Sequence, residues 1–256
     1  IPDLNIDKNT DPVFDYKVEA DVTDINGETR STNTIVPVGY KALNLQLTLP
    51  SDDAIPVDSL KHFFVSTKNL SGEFEPSKVE VKIYKLQPPK RLIRSRYWAK
   101  PDEFIMSKEE FLKYFPNDEY NEENKKESWP KGEMVFSKTD STTPGGNWQL
   151  ANAEFSQGWY VAEATSKDKY GQPVKTSRYI HLYDARTGNP GYPQYDWAFE
   201  NETTARPGEK VAVDIGSSAK DIFVIRNIQK ASDDDSGTFN FFTLDNGKKT
   251  VEFPIS

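Results

Sequence analysis

Two histidines and no cysteine bound the covalent chemistry open to this 256-residue chain. A nucleophile needs a base and an orienting group beside it. His62 precedes Phe63 and Phe64, and His181 lies inside the run YIHLY (179–183), so both occupy strand-like stretches where a structural role is the ordinary one. No G-x-S-x-G, H-E-x-x-H or Gly-rich phosphate loop is present. Without cysteine there is no disulfide, no thiolate metal site and no thioester. Carboxylates are so numerous that some pair falls at glycosidase spacing by chance, so they assign no reaction. No catalytic residue and no cofactor is expected.

Two stretches could bind rather than react. Asp233, Asp234 and Asp235 stand together at a turn-like DDDSG and could hold calcium weakly, although a solvated acidic turn is the commoner outcome. The DVTDING stretch (21–27) has some calcium-loop flavour, but no Glu stands at the twelfth position. Tyr195 and Trp197, in YPQYDWAF (192–199), could form a stacking platform for sugar rings. The structural alternative is a Pro/Gly linker whose aromatics wedge two modules together, and junctions between sandwiches favour it.

The elements that would carry these residues show a repeat. YKVEADVTDING (16–27) returns as YVAEATSKDKYG (160–171), displaced by 144 residues without a gap. Tyr16, Glu19, Ala20, Asp24 and Gly27 thereby coincide with Tyr160, Glu163, Ala164, Asp168 and Gly171. Alternation before D-x-x-G suits a half-buried strand entering a tight turn: the Asp oxygen accepts from the backbone and the Gly takes a positive φ. Each copy is predicted to be a β-hairpin, returning through 34–36 or 178–180.

Further alternations at Leu43/Leu45/Leu47/Leu49, Val79/Val81/Ile83 and Val211/Val213/Ile215 predict short strands, with another over 222–228 and a late hairpin turning at Asp245-Asn246-Gly247. A strand leading into a turn is expected over 58–72, with Phe64 on its apolar side. The fold class is therefore all-β, as tandem sandwiches. The charged, Pro-rich stretch 87–147 reads as an insertion carrying one short helix over 108–115. Ser107 and Glu110 form its capping box, and Phe111, Leu112 and Phe115 its buried side. Tyr97, Trp98, Phe104, Tyr114 and Trp129 are expected to pin the insertion to the sheet.

A net charge of −8 spread along the chain excludes a nucleic-acid surface. No apolar run reaches bilayer length, which leaves a parent's anchor as the only route to a membrane. The chain opens at Ile1 with neither an initiator Met nor a leader and reads as a processed or excised piece.

The phrase FDYKVEADVTDINGETR (14–30), and with it GWYVAEA…DKYG (158–171), resembles the closing hairpin of macroglobulin-type domains in bacterial α2-macroglobulin-like proteins. RPGEKVAVDIGSS (206–218) is similar to the opening of a following domain of that kind. YWAKPDEF…FLKYFPND (97–118) looks like an insertion of the Bacteroidetes-type branch. The resemblance implies structural modules of a broad-range protease trap. In such proteins a protease cuts a bait segment, the modules rearrange and the enzyme is caged. Its implied partners are proteases, met through the full-length parent, and the neighbouring sandwich modules of the same chain. Its implied setting is exported: periplasmic, cell-surface or extracellular, with a lipid anchor open to the parent. On this reading 1–38 closes a preceding module, 39–185 is a whole module and 190–256 begins a third. The third has no copy of the hairpin, so an uncovered edge or apolar face is expected near 210–256, unless the hairpin at 13–38 fills it within one chain or across a dimer.

Overall fold

The computed structural model describes residues 12–151, 153–200, 205–229 and 237–255. It is all-β apart from one helix and short 3-10 turns, and its strands fall into three groups. The first is a hairpin, β1 (Val13–Thr23) and β2 (Thr29–Gly39), paired antiparallel over their whole length.

The second group is a two-sheet sandwich. β3 (Leu43–Thr48), β5 (His62–Asn69) and β8 (Asn147–Gln149) form one sheet in the order β3-β5-β8. The other sheet, in the order β4-β10-β9-β6-β7, contains β4 (Ile55–Pro56), β6 (Lys78–Leu86), β7 (Lys131–Ser141), β9 (Gly158–Lys167) and β10 (Pro173–Tyr183). Strand period two explains the core. Leu43, Leu45 and Leu47 of β3 and Phe63 and Val65 of β5 face Val79, Val81 and Ile83 of β6, with Tyr160, Ala162, Ala164, Ile180 and Leu182 of the second hairpin. Each aliphatic side chain so buried contributes about 1.5–3 kcal/mol. The interior aromatic of β5 is Phe63; Phe64, expected on the apolar side, is exposed and meets His62 edge-on, because alternation places neighbours on opposite faces.

The insertion is shorter than 87–147. Residues 131–141 are β7, paired to β6 at the end of its sheet. Its Lys131, Glu133, Lys138 and Asp140 look like loop chemistry but suit an edge strand, where charge discourages further pairing. Within the insertion, helix α1 (Lys108–Tyr114) starts where Ser107 Oγ accepts from the Glu110 N–H at 3.2 Å, a cap of about 1 kcal/mol. It buries no residue: Phe111 and Leu112 are half-buried and Phe115 is exposed. Tyr97, Trp98, Phe104 and Tyr114 are exposed as well. Of the five aromatics expected to pin the insertion, Trp129 does so, buried against Leu86 and Val161.

The third group has two small sheets. β11 (Trp197–Glu200), β12 (Lys210–Ser217) and β15 (Gly247–Pro254) lie in the order β11-β12-β15, and β13 (Ile222–Ile228) pairs with β14 (Thr238–Leu244). Asp214 is the buried charge of this group. Its carboxylate takes the Lys248 Nζ at 2.5 Å and the Thr250 hydroxyl at 2.6 Å.

The two long hairpins have the same internal geometry. Tyr16 faces Val36 and Tyr160 faces Ile180, and every pair between Thr23/Thr29 and Lys167/Pro173 keeps the 144-residue displacement. In the first turn Asp24 Oδ1 accepts from the N–H of Asn26 and Glu28, at 2.9 Å each. In the second, Asp168 Oδ1 accepts from Tyr170 and Gln172 at 2.9 and 2.8 Å. Gly27 and Gly171 sit at φ +84° and +83°, where other residues are strained. The surroundings differ. Asp168 is buried and its second oxygen takes the Ala42 N–H at 2.9 Å, which ties the turn to the start of the sandwich. Burial opposes its ionisation, but the Ala42, Gln172 and Tyr170 donors and the charge of Lys169 outweigh that, holding the carboxyl below its ordinary value.

Asp168→Ala strands three part-buried backbone donors, those of Ala42, Tyr170 and Gln172, and should cost about 2–3 kcal/mol in denaturant unfolding of the sandwich. Asp24→Ala, in the exposed copy of the same turn, should leave that unfolding midpoint where it is. Equal losses from the two variants would contradict this account of the turns.

Candidate functional site

The densest grouping of polar and aromatic side chains lies where the sandwich hands over to the third group. His181 on β10 and Trp159 on β9 are stacked, 4.6 Å apart and 3° from parallel. Cross-strand pairing of these two residues sets that contact. Lys126, from the insertion, lies 4.8 Å over Trp159 and 5.5 Å over Tyr179. Trp129 meets Trp159 and Tyr192 edge-on. Tyr183 stacks on Phe199 of β11 at 4.1 Å, and Phe199 also reaches His181 at 5.9 Å.

The linker between them is fastened at both ends. His181 Nε2 stands 3.3 Å from the Pro190 carbonyl, which can only accept, so the neutral ring carries its proton on Nε2. Gly191, at φ +84°, lies so close to the Gln157–Gly158 backbone that a Cβ would come within 2.5 Å of Gly158 N. Gln194 exchanges two hydrogen bonds with Ser218, at 2.8 and 3.2 Å. Burial lowers the His181 pKa below its ordinary 6.5; the Pro190 bond works against this, and the charge of Lys126 adds to it.

The structure separates the two sugar-stacking candidates. Tyr195 lines an open cleft of about 470 Å³ with Arg94, Tyr97, Asn124, Trp129 and Tyr192. Trp197 lies flat on Gly216 of β12, so close that a Cβ there would be 2.2 Å from its ring, and its indole N–H is buried with no acceptor. One side of the ring is thereby taken by Gly216, and the residue as a whole is half-buried. Asp233, Asp234 and Asp235 fall outside the described residues. Among the described residues no three His, Asp or Glu side chains converge as a metal site would require. His62 lies on β5 against Phe64, in the other sheet of the sandwich from His181.

The repeat residues occupy matching hairpin positions in unlike settings. Tyr160 is fully buried, donating to the Ser156 carbonyl at 2.8 Å and accepting from the Ser156 N–H at 3.0 Å. Tyr16 is 37% exposed, and the residue four before it is Pro12, which has no N–H to give. Ala164 is buried at the β6 ladder, whereas Ala20 is exposed. Glu163 pairs with Lys131 of β7 at 2.6 Å, and Glu19 with its neighbour Lys17 at 2.5 Å. The His181–Trp159–Lys126 stack is the grouping that sequence reasoning missed. Its one signal was aromatic density on both sides of Pro190.

The chain is similar to trypsin-activated α2-macroglobulin of Escherichia coli, with 12% identity and a TM-score of 0.36, over 97% of this chain and 20% of that one. It is similar to the native conformation of the E. coli protein at 11% identity and a TM-score of 0.35, over 97% and 19%. It is also similar to a tetra-tandem repeat from the extending region of a large adhesion protein, at 13% and 0.28, over 93% and 47%. The chain thus spans about a fifth of the length of the α2-macroglobulins it matches. No family model and no curated protein matches it.

An unfolded His takes up its proton near pH 6.5, while folded His181, dry and beside Lys126, resists it. The unfolded state then binds more protons, so stability falls as pH drops below about 6.5. The midpoint of thermal unfolding, followed by circular dichroism, should decline from pH 7 to 5.5. His181→Phe, which keeps the stack on Trp159, should flatten that decline even if it lowers the midpoint at pH 7. An unchanged slope would remove His181 as its source.

Proposed function

We propose that this chain is a run of structural macroglobulin-type modules from an α2-macroglobulin-like protease trap, exported to the periplasm or beyond, and that it carries no reaction itself. The supporting observation is the hairpin signature shared by 16–27 and 160–171, with its common register and its Asp and Gly turn chemistry. That phrase carried the resemblance to macroglobulin closing hairpins in the sequence. Fold alone would not suffice, since sandwiches serve many ends.

On this reading the domain boundaries stay as the sequence suggested: a closing hairpin to residue 38, a whole module over 39–185 and a further module from 190. The work of the segment is geometric. The second module holds its neighbour through the linker at Pro190–Gly191 and the Tyr183–Phe199 stack, so that movement in one is passed to the next. Proteases are met through the full-length parent, and the direct partners of this segment are adjoining modules. The two sugar-stacking candidates stand in different settings, Trp197 half-buried with its ring on Gly216 and Tyr195 lining the open cleft.

The test uses the full-length polypeptide that carries this segment, incubated with trypsin. Cleavage should be followed by compaction in solution scattering. The captured trypsin should still hydrolyse a small chromogenic amide while losing most of its activity on casein. Trypsin that retains both activities, with no captured complex, would overturn the reading. The isolated segment should leave both activities intact.

A further inference from the structure

An open cleft of about 470 Å³ lies between the insertion and the linker that follows β10. Small-molecule sites run from roughly 300 to 1,000 Å³, so the cleft is of ligand size. Tyr97, Asn124 and Trp129 line it from the insertion, and Tyr192, Gln194 and Tyr195 from the linker. Both sides are fastened from behind. Arg94 gives Nε and Nη2 to Asp118 at 2.9 and 2.6 Å, and its N–H meets the Asn117 carbonyl at 2.7 Å. The Trp129 indole donates at 2.7 Å to the carbonyl of Glu123, the residue before Asn124. On the linker side Gln194 is held to Ser218, and Tyr192 meets Trp129 edge-on at 5.3 Å. A ligand entering here finds its contacts in place and has little to order.

The lining combines unpartnered rings with unpartnered polar groups. Tyr97 is 97% exposed, and neither it nor Tyr195 meets another ring or a cation among the described residues. The side-chain amide of Asn124 and the carboxylate of Asp196, both in the lining, have no hydrogen bond or ion pair among those residues. Gln194 Nε2 is buried in the wall without an acceptor, and a turn of its amide would offer it to a ligand oxygen. Arg94, the cation of the lining, is spent on Asp118, so no free positive charge awaits a phosphate or carboxylate. No lining residue belongs to a strand, so an extended peptide has no sheet edge to join here.

We propose that this cleft binds a neutral saccharide, with Tyr97 and Tyr195 against the C–H faces of its rings and Asn124, Gln194 and Asp196 on its hydroxyls. A sugar ring is the ligand that uses both halves of the lining. Its C–H face is apolar enough to pack on an aromatic ring, while its rim carries neighbouring hydroxyls that donate and accept. Amide and carboxylate side chains each present two bonding atoms in one plane, which suits a pair of adjacent hydroxyls. The companion of Tyr195 is thus Tyr97, brought from the insertion, and not Trp197, which lies outside the lining. The site gives the segment a glycan contact in addition to its hold on neighbouring modules. It stands apart from the protease-trap reading, and either can fail alone.

The test is titration of the chain with cellotriose, maltotriose, xylotriose and N-acetylchitotriose, followed by saturation-transfer NMR and calorimetry. At least one should bind with a single site and a millimolar or lower dissociation constant. Tyr97→Ala, at a position too exposed to affect folding, should weaken that binding about fivefold to tenfold. Tyr195→Ala should weaken it by a similar factor. Trp98→Ala, exposed but outside the lining, should leave it unchanged. Trigalacturonate, whose carboxylates meet Asp196 and no free cation, should bind more weakly than the best neutral sugar. Silence from all four neutral sugars at millimolar concentration overturns the proposal. So does binding that both tyrosine variants retain in full, which would place the contact elsewhere on the chain. A preference for trigalacturonate, or trialanine binding as well as any sugar, would overturn it in favour of an anion or a peptide. Tyr97→Ala carries the test alone should Tyr195→Ala disturb the linker.

Discussion

The ladder between β6 and β9 is the contact on which the sandwich depends. It runs antiparallel from Glu80/Thr165 to Lys85/Tyr160 and joins the closing hairpin to the rest of its sheet. A hairpin alone has two open edges and an apolar face, and two strands are marginal in water. Here β6 covers one edge, the short parallel strand β4 starts to cover the other, and β3 and β5 cover the face. Once these are in place, Tyr160 can be buried with its hydroxyl satisfied by Ser156, and Asp168 can reach Ala42. Remove the ladder and the same local geometry persists, as β1-β2 shows, but nothing around it is buried.

That contrast separates what local chemistry decides from what tertiary packing decides. The hairpin turns were legible because Asp and Gly perform their roles within a few residues. The alternation on β3 and β6 was legible for a similar reason: burial on one face imposes period two. The capped start of α1 was readable from Ser107 and Glu110. The role of β7 was not, since its lysines and acids are what an edge strand and a loop have in common, and only the neighbour in the sheet tells them apart. Phe64 was misplaced by one residue, which in a strand exchanges core for solvent. The insertion's aromatics were misjudged because an aromatic in a polar segment does not announce which surface it meets. Trp129 finds Val161 and Leu86, and Tyr97 finds only the rim of an open cleft.

The junction shows the same division. Pro190 and Gly191 were visible as a linker, and the aromatics around them as filling. The histidine at its centre looked structural for a general reason, its strand neighbours. The structure supplies the particular one: an aromatic stack on Trp159, a carbonyl for Nε2–H and a lysine that disfavours a second positive charge. Among the described residues, what acts on His181's ionisation is burial, the Pro190 carbonyl and the charge of Lys126. Its surroundings favour the neutral ring, which suits a packing role and does not suit a proton shuttle.

On the proposed reading, the chain holds its modules in position rather than performing a reaction. The buried carboxylates Asp168 and Asp214 take backbone N–H groups or a lysine, and His181 is held to the Pro190 carbonyl. Among the described residues, apolar side chains stand open on the inner face of β1-β2, on Tyr97, Trp98 and Ile105 of the insertion, and on Phe223, Ile225, Phe239 and Phe241 of β13-β14. Uncovered edges and faces invite strand addition, and sheet proteins normally blunt them with charge. β7 is blunted in this manner by Lys131, Glu133, Lys138 and Asp140.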